Sequence, residues 1–219
     1  LKESVEKSDK KLSDITILVK KYQRALKESK QRYLTVKADA CGLSVDSVKA
    51  QLSESYNYKE VDSVCGALDA RYTCLYLNKD AELDTVPSRD IVSKIDDIVD
   101  EYKPDEVFIN CTSHHQDHKK LYECAMASMR QREGFVPKMV ALYEYPCLEP
   151  GERIDGGRWY HVIDDVIEEK CGLMEMYKSQ IRKEPSPINS NGIMSLAAIR
   201  GRECGSAYAE LFYVQKMKS

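Results

Sequence analysis

Three of the four histidines in this chain, His114, His115 and His118, fall within five residues, in the stretch Cys111-Thr112-Ser113-His114-His115-Gln116-Asp117-His118. Imidazole is the commonest ligand for a borderline cation such as zinc, and a nearby carboxylate can fix its tautomer and orientation. His115 and His118 are three apart and share one face if the first turn is helical. Asp117 lies between them, placed to hydrogen-bond one ring and raise its basicity. On spacing alone, a polar loop that is simply histidine-rich accounts for the same residues.

Other residue types suggest smaller roles. Tyr143, Tyr145 and Trp159 carry aromatic faces of the kind that stack on pyranose rings, although aromatics beside strands more often belong to a core. Glu144 either holds a loop or meets a substrate hydroxyl. Arg200 and Glu210 are expected to pair with each other. His161 reads as an edge-strand histidine, and Gly156-Gly157 as a turn too weak in pattern for a phosphate loop.

These residues need elements to position them. From Tyr58 the pattern alternates regularly: helix over Tyr58 to Leu68, strand over Tyr72 to Leu77, then a helix capped by Ser88. The last carries Ile91, Val92, Ile95, Ile98, Val99 and Tyr102 as one apolar stripe. Pro104 stops it, because proline disfavours helix at the residue before it. Glu106 to Asn110 reads as a buried strand, Asp117 to Arg132 as helix, and Lys138 to Tyr143 as a strand covered on both faces. Helices over Asp164 to Ile181 and Asn189 to Arg200 and a strand over Leu211 to Val214 complete the reading. The alternation predicts an α/β fold with βαβ units and a mostly parallel sheet flanked by helices. In such sheets ligands gather beyond the carboxyl ends of strands, which is where the histidines fall.

At 219 residues and 25.0 kDa, with 42% hydrophobic and 32% charged residues, the chain has the makings of a folded domain with at most a small appendage. A net charge of -3 gives no global reason to expect a nucleic-acid partner. No uncharged apolar run approaches the roughly 20 residues that span a bilayer. No basic and apolar leader opens the chain, so secretion is not expected. The eight cysteines include no Cys-x-x-Cys pair and read as reduced thiols in the cytoplasm.

Several segments, taken together, resemble the PIG-L/LmbE-type zinc N-deacetylases. Pro104 to Asn110 followed by His115-Gln116-Asp117-His118 resembles the family's His-x-Asp-His signature after a strand. Tyr143-Glu144-Tyr145-Pro146 resembles its Tyr-Glu-x-Pro. Lys170 through Tyr177-Lys178-Ser179-Gln180 resembles its Lys…Tyr-x-Ser-Gln helix. Arg200-Gly201 with Tyr208-Ala209-Glu210-Leu211-Phe212 resembles its closing segment. Upstream, Lys59-Glu60 to Leu68 and Asp80-Ala81-Glu82-Leu83 fit its helix and Asp-Gly-Glu-Leu loop. The resemblance implies a Rossmann-like fold and one zinc, with removal of an N-acetyl group from an N-acetylglucosaminyl-type conjugate, a small amino-sugar-like substrate. It implies that His118 is a zinc ligand, that His115 faces the developing oxyanion, and that Asp117 orients His115. Tyr143 and Glu144 then stand on the substrate side, and His114 has no role.

The family's first signature, His-Pro-Asp-Asp-Glu, has no counterpart, since no histidine precedes His114. Three explanations stay open: a beginning that lies upstream of Leu1, ligands supplied by a partner chain or a second copy, or a fold kept without its reaction. The last makes the protein a non-catalytic structural or assembly subunit. Residues 1–56 read as a helical amino-terminal segment preceding a deacetylase-like domain over 57–219. Residues 1–34 hold ten Lys/Arg against five Asp/Glu. Ala38 to Leu52 resembles a helix-turn-helix, which makes DNA binding a third reading and packing of helices, or a remnant of the first strand-helix unit, the plainer ones.

Overall fold

The structure, a computed structural model, describes residues 56–76, 81–132, 135–146 and 154–218. The expected amino-terminal helices, the helix-turn-helix pattern and Asp80 lie outside these residues. Helix α1, Tyr56–Ala67, leads in. Then come α2 (Ser88–Tyr102), β1 (Glu106–Asn110), α3 (Gln116–Ser128), β2 (Met139–Tyr143), β3 (Gly157–Val162), α4 (Ile167–Glu175), α5 (Ser190–Cys204) and β4 (Ala209–Met217).

Among the described residues four strands form one sheet in the order β1-β2-β4-β3. β1 and β2 are parallel, joined through α3 as a single βαβ unit, with Asn110 opposite Tyr143 at the carboxyl end. β4 is antiparallel to both β2 and β3. The expected mostly parallel sheet is therefore corrected to a mixed α/β sheet in which antiparallel pairing predominates. The reason is topological: β4 returns after two successive helices and inserts between strands that precede it.

Alternation within the strands sets two faces. Ile109, Val140, Leu142, Leu211 and Tyr213 point to one face and form the main core with Val99 of α2 and with Ala125 and Met129 at and just past the end of α3. Ile91 of α2 is fully buried. A second cluster, Ile163, Ile167, Cys171, Ile193 and Ala197, packs α4 against α5. On the other face, Tyr143, Phe212 and Trp159 stand in one row across three strands.

Local chemistry explains the element ends. Ser88 is the first helical residue rather than the cap: Pro87 holds the cap position, and its carbonyl accepts from Asp90 N and Ile91 N. α2 ends as expected before Pro104, with Lys103 left-handed at φ 46°. Asn189 caps α5 by accepting from Gly192 N at 2.9 Å. Asp164 is held out of α4 because its carboxylate accepts from Tyr208 N at 2.6 Å. Tyr72–Tyr76 is no strand. Its end is held from the side by Lys94, whose Nζ donates to Leu75 O at 2.9 Å and lies 3.9 Å above the Tyr76 ring.

Candidate functional site

β1 delivers the chain to Cys111 at the carboxyl edge of the sheet, and α3 begins five residues later at Gln116. His115 occupies the N-cap position of α3 in extended conformation. Asn110, the last residue of β1, ties the two elements together: its Nδ2 donates to the carbonyls of Cys111 and His118, each at 3.0 Å. Ser113 braces the loop between them, accepting from His115 N at 3.2 Å and lying 3.3 Å from His118 Nδ1. With Nδ1 facing Ser113, Nε2 is the His118 nitrogen left for a ligand.

The helical first turn brings His115 and His118 together, their ring centroids 4.8 Å apart. Tyr145, beyond the end of β2, meets the His118 ring edge-on at 5.2 Å. Burial depresses the His118 pKa, the neighbouring His115 depresses it further, and Asp117 opposes both. A neutral imidazole is thus favoured at the half-buried position, beside an exposed one. His114 is exposed.

Asp117 is engaged elsewhere. Its two oxygens accept from Ala81 N at 2.7 Å and Leu83 N at 2.9 Å, while Gln116 Nε2 donates to Ala81 O at 2.6 Å. The first turn of α3 therefore grips the Ala81–Leu83 turn, where Ala81 sits at φ 59°, a left-handed conformation that disfavours a residue with a Cβ.

Glu144 is turned inward: its side chain is 5% exposed and both oxygens are taken by Arg200. The expected Arg200–Glu210 pair is corrected likewise, since Glu210 pairs with Lys170. Tyr143 remains at the strand tip, 41% exposed. Trp159 lies 5.2 Å from Phe212 and 5.9 Å from His161 on strand β3, centroid to centroid. Sequence reasoning missed Asn110 and Ser113. Their signal was present, since short polar side chains between a strand end and a helix start commonly bond local backbone.

The donor set does not suit a catalytic zinc. Among the described residues no three His, Cys, Asp or Glu side chains converge as a metal-holding group, and such a zinc ordinarily has three protein ligands. His118 has a nitrogen to offer, but Asp117 has both oxygens occupied.

No family model and no curated protein matches the chain. Its fold is similar to that of the conserved protein TT1542 from Thermus thermophilus, with a TM-score of 0.57 and 18% identity over 74% of this chain and 73% of that one. It is also similar to the A40926 pseudoaglycone deacetylase Dbv21, with a TM-score of 0.52 and 17% identity over 78% and 77%. The N,N'-diacetylchitobiose deacetylase from Pyrococcus horikoshii aligns with a TM-score of 0.49 and 18% identity over 72% of this chain and 62% of its own. At these identities the likeness is one of fold. Among the described residues no helix is long and apolar enough to cross a membrane.

Proposed function

We propose that the chain is a deacetylase-type hydrolase domain of the PIG-L/LmbE kind, acting on the N-acetyl group of an N-acetylglucosaminyl-type conjugate. The observation that carries this reading is the pairing of His115 with His118 at the carboxyl tip of β1, on a fold also found in a pseudoaglycone deacetylase. An amide carbonyl seated at the start of α3 meets an imidazole donor from His115 and the positive end of the helix, both of which stabilise negative charge developing on oxygen. In this reading Asp117 holds the Ala81–Leu83 turn against the start of α3. Tyr143 borders the sugar. His118 is the ligand this chain would offer a metal, but the described donors are too few for zinc, and no step is routed through one. The thiols of Cys124, Cys171 and Cys204 fit a reducing compartment such as the cytoplasm.

A second reading, a non-catalytic subunit that keeps the fold for binding or assembly, is favoured by that short donor set. One experiment separates the two. The full chain is incubated with N-acetylglucosaminyl conjugates, liberated amine is measured, and sugar binding is followed by saturation-transfer NMR. Hydrolysis that falls by about 100-fold or more in His115→Ala supports the first reading. Sugar binding without amine release overturns it in favour of the second.

A further inference from the structure

Glu144 is a carboxylate in the protein interior, where an unpaired charge is costly by several kcal/mol. Arg200 answers it with a two-pronged contact: Nε donates to Oε2 at 2.9 Å and Nη2 to Oε1 at 2.5 Å. The Tyr213 hydroxyl donates to Oε1 at 3.3 Å. The third guanidinium nitrogen, Nη1, donates to Glu203 at 2.8 Å, and Glu203 accepts from the Tyr160 hydroxyl at 2.8 Å. The hydrogen bonds to Glu144 raise the Arg200 pKa well above its ordinary value, so the guanidinium stays charged throughout. One network thus joins β3, α5 and β4 to the residue just past β2. Such forked contacts fix orientation as well as distance.

What this network holds is the segment that carries Tyr145. Glu144 lies between Tyr143 at the strand tip and Tyr145, whose ring is T-shaped to that of His118 with the centroids 5.2 Å apart. With both Glu144 oxygens anchored, the backbone on either side of it has little freedom to swing, and the tyrosine is held at the imidazole. We propose that the Arg200–Glu144 ion pair is a positioning device for the histidine site, fixing the turn after β2 so that Tyr145 stays seated on His118. The proposal rests on the reading of His118 as a site residue, but its geometry is measurable without turnover. The competing role is a plain staple between α5 and the sheet.

The test is the ring-proton NMR signal of His118 in the full chain at neutral pH, because an aromatic edge at this distance leaves a ring-current shift on its neighbour. Tyr145→Leu gives the displacement that follows when that ring is removed. Glu144→Gln, which preserves shape while removing the charge, and Arg200→Lys, which preserves charge while removing the fork, are then compared with wild type. Both are expected to move the His118 signal in the same direction as Tyr145→Leu, by about half of that displacement or more, with the His161 signal unchanged. If both variants fold with lowered melting temperatures while the His118 signal stays at its wild-type position, the pair is only a staple and the proposal is overturned. Should Arg200→Lys fail to fold, Glu144→Gln alone decides, by the same two outcomes. A protein that releases no amine from any conjugate leaves this readout intact, so failure of the functional reading and failure of the positioning role are distinguishable.

Discussion

Gly201 follows Arg200 in α5, and a Cβ there would lie 2.5 Å from the carbonyl carbon and oxygen of Ala207 and 2.6 Å from Tyr208 N. Those neighbours are backbone and cannot rotate away, so the absence of a side chain lets α5 lie against the entry to β4. Gly201→Ala is expected to destabilise the protein by about 1–3 kcal/mol, the usual range for overpacking, seen as a lowered urea midpoint. At this scale the sequence was legible as a set of residue types and ambiguous as a set of partners. The spacing of His115 and His118 correctly implied a shared face once the turn was helical. Arg200, Glu144 and Glu210 were all visible as charges near motifs, yet nothing local says which carboxylate an arginine 56 residues further along the chain will reach. The same is true of Asp117: its nearest ring in sequence was His115 or His118, and its bonding partners are backbone amides 34 and 36 residues away.

Between elements, an electrostatic cluster joins α2 to the end of α3. Asp96 accepts from Ser128 Oγ at 2.5 Å and from Arg130 Nη2 at 2.7 Å, and Arg132 lies 3.4 Å away. Ser128 is 1% exposed, which gives this cluster a buried end and a wet one. Burial pushes the Asp96 pKa up, but hydrogen bonds from Arg130 and Ser128 and the arginine charges outweigh it, and the net shift is downward. A carboxylate held low binds its proton later in the folded chain than in the unfolded one. Its contribution is therefore complete above about pH 4 and is lost as pH falls through the folded-state value. Asp96→Asn should lower stability by about 1–2 kcal/mol at pH 6 and flatten the acid limb below about pH 4, as measured by urea unfolding across that range. A variant with an unchanged acid limb would show that Asp96 is not responsible for it. Element identity was legible where periodicity was strong: the stripe from Ile91 to Tyr102 gave α2, and Glu106 to Asn110 gave β1 residue for residue. It failed at Tyr72–Tyr76, where β-forming residues find no strand to pair with among the described residues.

For the whole molecule, sheet order was the property least written in local pattern. The alternation of helix and strand argued for a mostly parallel sheet, but a returning strand's direction depends on how far the intervening helices carry the chain. The order β1-β2-β4-β3 makes β2 and β4 the interior strands, and Val140, Ala141, Leu142, Ala209 and Leu211 are each at most 2% exposed. Their amides are expected to exchange with solvent most slowly, ahead of those in β1 and β3, in native-state hydrogen exchange. Faster exchange in β2 than in β1 would contradict the arrangement.

The central place of β4 also bears on how the protein is made. A ribosome delivers β1, β2 and β3 before the strand that joins them, and residues 163–217 must still be translated before β4 is complete. At about 5–20 residues per second, that interval is roughly three to eleven seconds. Throughout it β2 and β3 have unsatisfied inner edges, open to pairing with other nascent chains. Synthesis speed over α4 and α5 therefore governs how long this fold stands unclosed, and slow codons there would trade yield for aggregate.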